Sequence, residues 1–323
     1  SYPIYYMDVE VASDRQQYYM HPKTKHPVLK LSSQRVPNVN YDFRDDPYWH
    51  SVCSWKDISR QQFEDPIWQQ QNCIKSIRDV ARILGDQVDP LVLEDIADGL
   101  EIAPMNVRIT PYLFAMIDWS NPYGDHIRRQ FLPMRSQFLN NHPHCMDDSL
   151  GEVADMAAPF LTHRYPDKVL FLPVSVCPVY CLYCTRSRMV GGSTVHKEKV
   201  TYGEQKPEWD ETFEYILDHP MIEDVVISGG DAFMLRPDTL AYIGGRLLEI
   251  PHIRRIRIAT KGIGVLPMRI TSDDGWTDAV ARISDQGRAL MKEVCIHTHI
   301  STECEMTAWT ERAMQRLTSL GVK

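Results

Sequence analysis

From residue 168 onward the chain alternates between two patterns. Short apolar runs, KVLFLPVS, DVVIS (224–228), RRIRIAT (254–260) and VCIHTHI (294–300), have the length and β-branched content of buried strands. Between them lie stretches with apolar residues at helical spacing. EWDETFEYILDH carries Phe213, Ile216 and Leu217 on one side, PDTLAYIGGRLLEI carries Leu240, Ile243 and Leu247, and WTDAVARISDQGRALMKE follows. EMTAWTERAMQRLTSLG is a last helix, closed by Gly321. Strand and helix in alternation predict a parallel sheet with right-handed crossovers. In such sheets chemistry collects at the carboxyl ends of the strands.

The first half reads differently. Residues 51–150 are helical in pattern: IKSIRDVARIL sets Ile74, Ile77, Val80, Ala81 and Leu84 on one face. Asp89 and Pro90 open a helix through LVLEDIADGL, and Thr110 and Pro111 open another, PYLFAMIDW, which leaves at Asn121–Pro122. Residues 1–50 show little periodicity but carry Tyr2, Tyr5, Tyr6, Tyr18, Tyr19, Tyr41 and Tyr48. They predict an extended arm, laid on a neighbouring subunit or wrapped over its own domain. The expected organisation is an arm (1–50), a helical domain (51–160) and an α/β domain (161–323).

Composition narrows the function. The 323 residues are 43% hydrophobic and 24% charged, an ordinary globular mixture. A net charge of −8 argues against nonspecific nucleic-acid binding and against an anionic membrane surface. No apolar run approaches membrane-spanning length, and the start SYPIYYMDVE has no secretory pattern. Eight cysteines are too sparse for a disulfide scaffold, and five are scattered as buried small side chains usually are. A cytoplasmic setting is the expectation.

The other three, Cys177, Cys181 and Cys184, fall within eight residues just after the first strand. Three thiolates on one loop cap three irons of a four-iron cluster and leave the fourth iron open to a substrate. Plain electron-transfer clusters use four cysteines. The competing readings are chance and a zinc site, which wants four ligands and has His196 as its nearest candidate fourth. Ser228-Gly229-Gly230-Asp231 follows the second strand, where glycines let the backbone approach a ligand and a carboxylate can receive an ammonium group. His297 and His299 end the fourth strand on one side, with His299 expected to face the pocket.

The cysteine spacing, with an aromatic before the last cysteine, resembles the radical S-adenosylmethionine superfamily. Longer matches, NVRITPYLFAMIDWSNP (106–122), LTHRYPDKVLFL (161–172), CLYCTRSR (181–188), VVISGGDAFML (225–235), EIPHIRRIRIAT (249–260) and VLPMRIT (265–271), resemble the lysine 2,3-aminomutase family from about Trp55 onward. The resemblance implies a partial (β/α) barrel of the radical S-adenosylmethionine type behind a mainly helical N-terminal region. It implies an isomerase that moves an amino group between the α and β carbons of an amino acid, using a [4Fe–4S] cluster, S-adenosylmethionine and pyridoxal 5′-phosphate. Partners implied are a small amino acid substrate, an electron donor such as flavodoxin or ferredoxin, and a second copy of the chain.

Residue roles carry over with the motifs. The cysteines hold the cluster, Tyr183 lies near the adenine, and Ser228, Gly229, Gly230 and Asp231 hold the methionyl amine. Arg164 and Lys168, flanking Tyr165, match the cofactor-phosphate positions, with Lys168 where the family often has Arg. Arg186 matches the residue that grips the substrate carboxylate. The family's pyridoxal phosphate lysine lies beyond Lys323; the competing expectations are a longer chain, a shortened relative without aminomutase activity, and a second chain that completes the barrel. Gly262-Ile263-Gly264 and Ser301-Thr302-Glu303-Cys304-Glu305 depart from the family pattern, which leaves the substrate open. Rival readings are action on a protein lysyl side chain, a branch that tends to carry Phe where Thr185 stands, a radical enzyme without pyridoxal phosphate, and a zinc-stapled binding protein.

Overall fold

The four apolar runs from residue 168 onward all become strands. The structure, a computed structural model, describes residues 18–20, 27–29, 43–139, 146–195, 197–200 and 206–323. Strands β1 (Tyr18–Met20) and β2 (Pro27–Leu29) pair as an antiparallel hairpin. Most of the expected arm lies outside the described residues, as do Cys145 and His196. Residues 1–42 form one compact unit and residues 43–323 another.

The larger unit is built on one six-stranded mixed sheet. Strands β3 (Met156–Ala158), β4 (Leu161–Tyr165) and β5 (Lys168–Phe171) are antiparallel neighbours. Strands β6 (Asp224–Ile227), β7 (Arg255–Thr260) and β8 (Glu293–Thr298) continue from β5 in parallel. Side chains alternate between faces, so Val169, Phe171, Val225, Ile227, Ile256 and Ile258 all point one way and are buried. The opposite face carries Lys168, Asp224, Arg255 and Glu293 in one cross-strand row. There Arg257 pairs with Asp224 at 2.8 Å and Arg255 with Glu293 at 2.7 Å, the opposite-charge arrangement that stabilises neighbouring strands.

The helices between the parallel strands form where the spacing put them. Lys206–Asp218, Pro237–Glu249, Asp274–Ala289 and Ala308–Ser319 are helical. Leu240, Ile243 and Leu247 are fully buried as expected, but Leu217 is half exposed. The buried seam of that helix runs instead through Trp209, Thr212, Phe213 and Ile216. Leu217 sits a further 100° around the helix and falls on the flank.

Two other expectations are corrected. Ile74 is not on a helix face; it bridges to Ile109, and the helix Ile77–Leu84 starts after Ser76, whose hydroxyl accepts from Asp79 N. PYLFAMIDW gives only one turn, Pro111–Phe114, before Asp118 N donates to Asp125 and the chain turns away. The helix Pro90–Ile102 forms as read, with Asp89 as its cap and Pro90 in its first turn.

A buried aromatic group joins the first described residues of this unit to its last helix. Trp49 stacks on Phe63 at 4.1 Å, and Tyr48 lies edge-on to Trp309 at 5.8 Å while donating to Tyr112 O at 3.1 Å. Tyr48, one of the tyrosines counted with the arm, is therefore core. Among the described residues no helix is long and apolar enough to cross a membrane.

Candidate functional site

The segment after β5 runs into the site through Leu172, Val174 and Ser175, all buried. The cysteine loop that follows is held by the helical N-terminal segment. Tyr180 N donates to Arg108 O at 2.9 Å, Arg108 Nε returns a bond to Pro178 O at 3.1 Å, and Leu182 N donates to Gln130 O at 2.8 Å. Cys177, Cys181 and Cys184 are free thiols lining one cavity of about 490 Å³. Among the described residues no three His, Cys, Asp or Glu side chains gather as single-ion ligands.

Burial governs the thiols. It pushes Cys177 well above the usual thiol value, aided by Asp231 and the other two sulfurs, pushes Cys181 up to about 11, and raises Cys184. The thiols thus stay protonated until a cation takes the proton's place, which is how metal loading works at thiolate sites.

The glycine pair does something the sequence reading did not anticipate. A Cβ on Gly229, whose φ is +101°, would sit 2.2 Å from Val174 O, and one on Gly230 would sit 2.5 Å from Val176 O. The close approach is therefore to the main chain leading into the cysteine loop, rather than only to a ligand. Gly230 N donates to Val174 O at 2.6 Å and Asp231 N to Val176 O at 3.0 Å, which clamps the end of β6 to that loop. Both glycines and Ser228 still line the cavity.

Asp231 lines it too, buried, with both oxygens engaged. Oδ1 accepts from Phe233 N at 2.8 Å and Oδ2 from Lys261 N at 2.9 Å; burial raises its pKa against these bonds. At the end of β7, Lys261 Nζ donates to Glu305 at 2.7 Å, His299 O at 3.2 Å and Ser301 Oγ at 3.3 Å. Glu305 is fully buried and also accepts from Gln130 Nε2 at 2.8 Å. Tyr183 OH closes the circuit, bonding Gln130 Oε1 at 3.1 Å and Ser301 Oγ at 3.0 Å. The His299 ring meets Tyr183 edge-on at 5.9 Å, and His297 and His299 both line the cavity.

Arg186 lines the same cavity but is held from behind. Glu152 accepts three bonds from it, at 2.8–3.1 Å, and one from Arg188 at 3.1 Å, while Arg186 Nη1 reaches Ser228 Oγ at 3.3 Å. Arg164, Tyr165 and Lys168 are elsewhere. They line a second cavity of about 210 Å³, with Lys168 opening β5 at its amino end. Glu152 lines this second cavity, so the carboxylate that holds Arg186 of the first cavity borders the other. Gln130, Glu152 and Glu305 carry no local sequence signal: Glu152 sits in a turn, Gln130 and Glu305 in one-turn helices, and each reaches the site only through tertiary packing.

No family model matches the chain. It is 32% identical to the L-lysine 2,3-aminomutase of Bacillus subtilis (strain 168) over 87% of its own length and 55% of that protein. It is 33% identical to the L-lysine 2,3-aminomutase of Clostridium subterminale over 83% of its length and 59% of that one. The glutamate 2,3-aminomutase of Clostridioides difficile matches at 29% over 66% of this chain and 46% of its own. The chain thus spans a little over half the length of the lysine enzymes it matches. By sequence the chain is related to the lysine 2,3-aminomutase family over most of its own length.

Proposed function

We propose that the chain acts as an amino acid 2,3-aminomutase that uses a [4Fe–4S] cluster, S-adenosylmethionine and pyridoxal 5′-phosphate on a partial (β/α) barrel. The observation that carries this reading is that three free thiols share one cavity with the glycine–aspartate turn and with Arg186, Tyr183 and His299. When bound, the cluster supplies an electron, S-adenosylmethionine supplies hydrogen-atom abstraction, and pyridoxal phosphate holds the migrating amino group.

The donor set suits each group. Three thiols that burial keeps from ionising alone suit ligation by iron, which provides the missing positive charge. Asp231 accepts from two main-chain groups and from the Thr260 hydroxyl, which leaves part of its acceptor capacity for an ammonium group. Arg164 and Lys168 suit a phosphate. Their present partners, Asp155 at 2.6 Å and Asp167 at 3.2 Å, form pairs more than a third exposed, which a dianion readily replaces.

This chain's own residues then divide the work. Glu152 fixes the plane of Arg186, leaving the Nη1 edge toward Ser228 to meet a substrate carboxylate. The clamp from Gly230 and Asp231 to Val174 and Val176 keeps the cysteine loop at the end of β6. Lys261, Glu305 and Gln130 hold Tyr183 and the His299 segment as a wall.

The test is anaerobic. Purified chain, reconstituted with iron and sulfide and reduced with dithionite, is expected to form 5′-deoxyadenosine from S-adenosylmethionine. With pyridoxal phosphate, lysine and glutamate are the first substrates to try, because the relatives act on these. No 5′-deoxyadenosine from cluster-loaded protein would sink the radical reading. Deoxyadenosine with no amino migration on any α-amino acid would sink the aminomutase reading alone. A partner of the flavodoxin or ferredoxin class is the proposed physiological electron donor, and the protein is proposed to be a homo-oligomer.

A further inference from the structure

Beside the cysteine cavity lies a cation that nothing above uses. Lys199 is 7% exposed, and its Nζ donates to Val190 O at 2.9 Å and to Met105 Sδ at 3.2 Å. Both acceptors are neutral, and one is a thioether, a poor acceptor. Met105 and Val190 belong to a small apolar cluster, with Leu172 and Met189, against which Cys177 and Cys184 pack. The ionisable groups that act on Lys199 are Cys184 and Lys197; among the described residues no carboxylate pairs with it. Burial accordingly lowers its pKa to about 8.

The other cations near the trio differ. Lys261 and Arg186 are already neutralised by Glu305 and Glu152. Arg108 rests on Pro178 O and is partly exposed, so water screens it. An ammonium buried on neutral acceptors is costly unless an anion arrives nearby. Loading the cysteines brings such an anion, because each thiol gives up its proton to metal.

We infer that Lys199 is the fixed counter-charge of the cysteine-bound cluster and raises its reduction potential. The inference rests on the cluster reading above. The electron added on reduction makes the cluster more negative, so a nearby buried positive charge favours the reduced state. Lys199 is thus a tuning residue that acts through the cluster, and the electron comes from an external reductant.

The experiment compares wild-type, Lys199→Met and Lys199→Arg chains, each reconstituted anaerobically with iron and sulfide. Cluster content is measured by iron and sulfide analysis, and the midpoint potential by electron paramagnetic resonance during dithionite titration. Lys199→Met is expected to shift the reduction equilibrium at least tenfold toward the oxidised cluster, about 59 mV for one electron. Lys199→Arg, which keeps the charge, is expected to stay close to wild type. Loss of the cluster in the Met variant but not the Arg variant also supports the inference. An unchanged midpoint in Lys199→Met overturns it while the cluster reading stands. Equal loss of cluster in both variants, with circular dichroism intact, overturns it as well. If wild-type protein takes up no cluster, the parent reading fails and this one with it.

Discussion

The Lys261–Glu305 pair is the sharpest place to test the electrostatics of this site. Glu305 is fully buried and Lys261 nearly so, and they meet at 2.7 Å. Removing one partner of a buried pair costs about 3–5 kcal/mol, chiefly because the other charge is stranded. Glu305→Leu strands Lys261 with only His299 O and Ser301 Oγ; it also deprives Ser301 N of its side-chain acceptor and leaves Gln130 Nε2 only the longer bond to His126 O at 3.3 Å. Orphaned donors add about 1 kcal/mol or more each, so the single variant is expected at the upper end, about 5 kcal/mol. Lys261→Met leaves Glu305 with two donors and is expected to cost about 3 kcal/mol. The double variant buries no unpaired charge and is expected to cost less than Glu305→Leu alone. The assay is a double-mutant cycle from urea unfolding, followed by tryptophan fluorescence on cofactor-free protein. A coupling of about 2 kcal/mol or more is the expected result. A coupling below about 0.5 kcal/mol would refute the reasoning, since independent sites add within that margin.

Gly229→Ala forces a Cβ to 2.2 Å from Val174 O at a φ of +101°, so it is expected to destabilise the fold by more than the about 1–3 kcal/mol of backbone strain alone, read as a lowered thermal midpoint; an unchanged midpoint would mean that the clamp is not tight. Cys181→Ala is expected to abolish the visible absorbance and iron content of reconstituted protein, because the loop has no spare thiol. Arg186→Lys loses the planar fork that pairs with Glu152 and is expected to raise KM for the amino acid; unchanged kinetics would remove its assigned role. The His299 imidazole, held down by burial and then by Lys261, is expected to titrate below 6.5 in a nuclear magnetic resonance titration. Lys261→Met takes away one of the two causes and should move that midpoint upward; no movement would place the ammonium out of range.

Much of the fold was legible because apolar runs and helical spacing are local signals. The parallel strands β5 to β8 and the helices between them needed nothing else. Strands β3 and β4 were not read, since Met156–Ala158 is short and LTHRY lacks clean alternation; their pairing depends on β5 beside them. Leu217 misled because consecutive apolar residues look alike in a sequence while lying 100° apart on a helix. At the site, the cysteine spacing announced itself, and Arg186, Tyr183, Asp231 and His299 do line one cavity. Arg164 and Lys168 line a different one, toward the amino end of β5, which a rule about strand carboxyl ends did not foresee. Glu152, Gln130 and Glu305 were invisible because a lone acid or amide in a turn or a one-turn helix has no periodicity to betray it. The glycines were found for one reason and serve another: backbone crowding against Val174 and Val176 exists only once the strands are side by side.

Glu152 lines one chamber and grips Arg186 of the other, and this makes them thermodynamic neighbours. An anion that draws Arg186 away leaves Glu152 with Arg188 alone, so more of its charge faces the Arg164 side and opposes a second anion there. By linkage, filling either chamber must then alter affinity in the other by an identical factor, whichever is filled first. Order of addition at this wall would be a matter of rate alone, and a single shared carboxylate would serve as the cross-talk between two compartments.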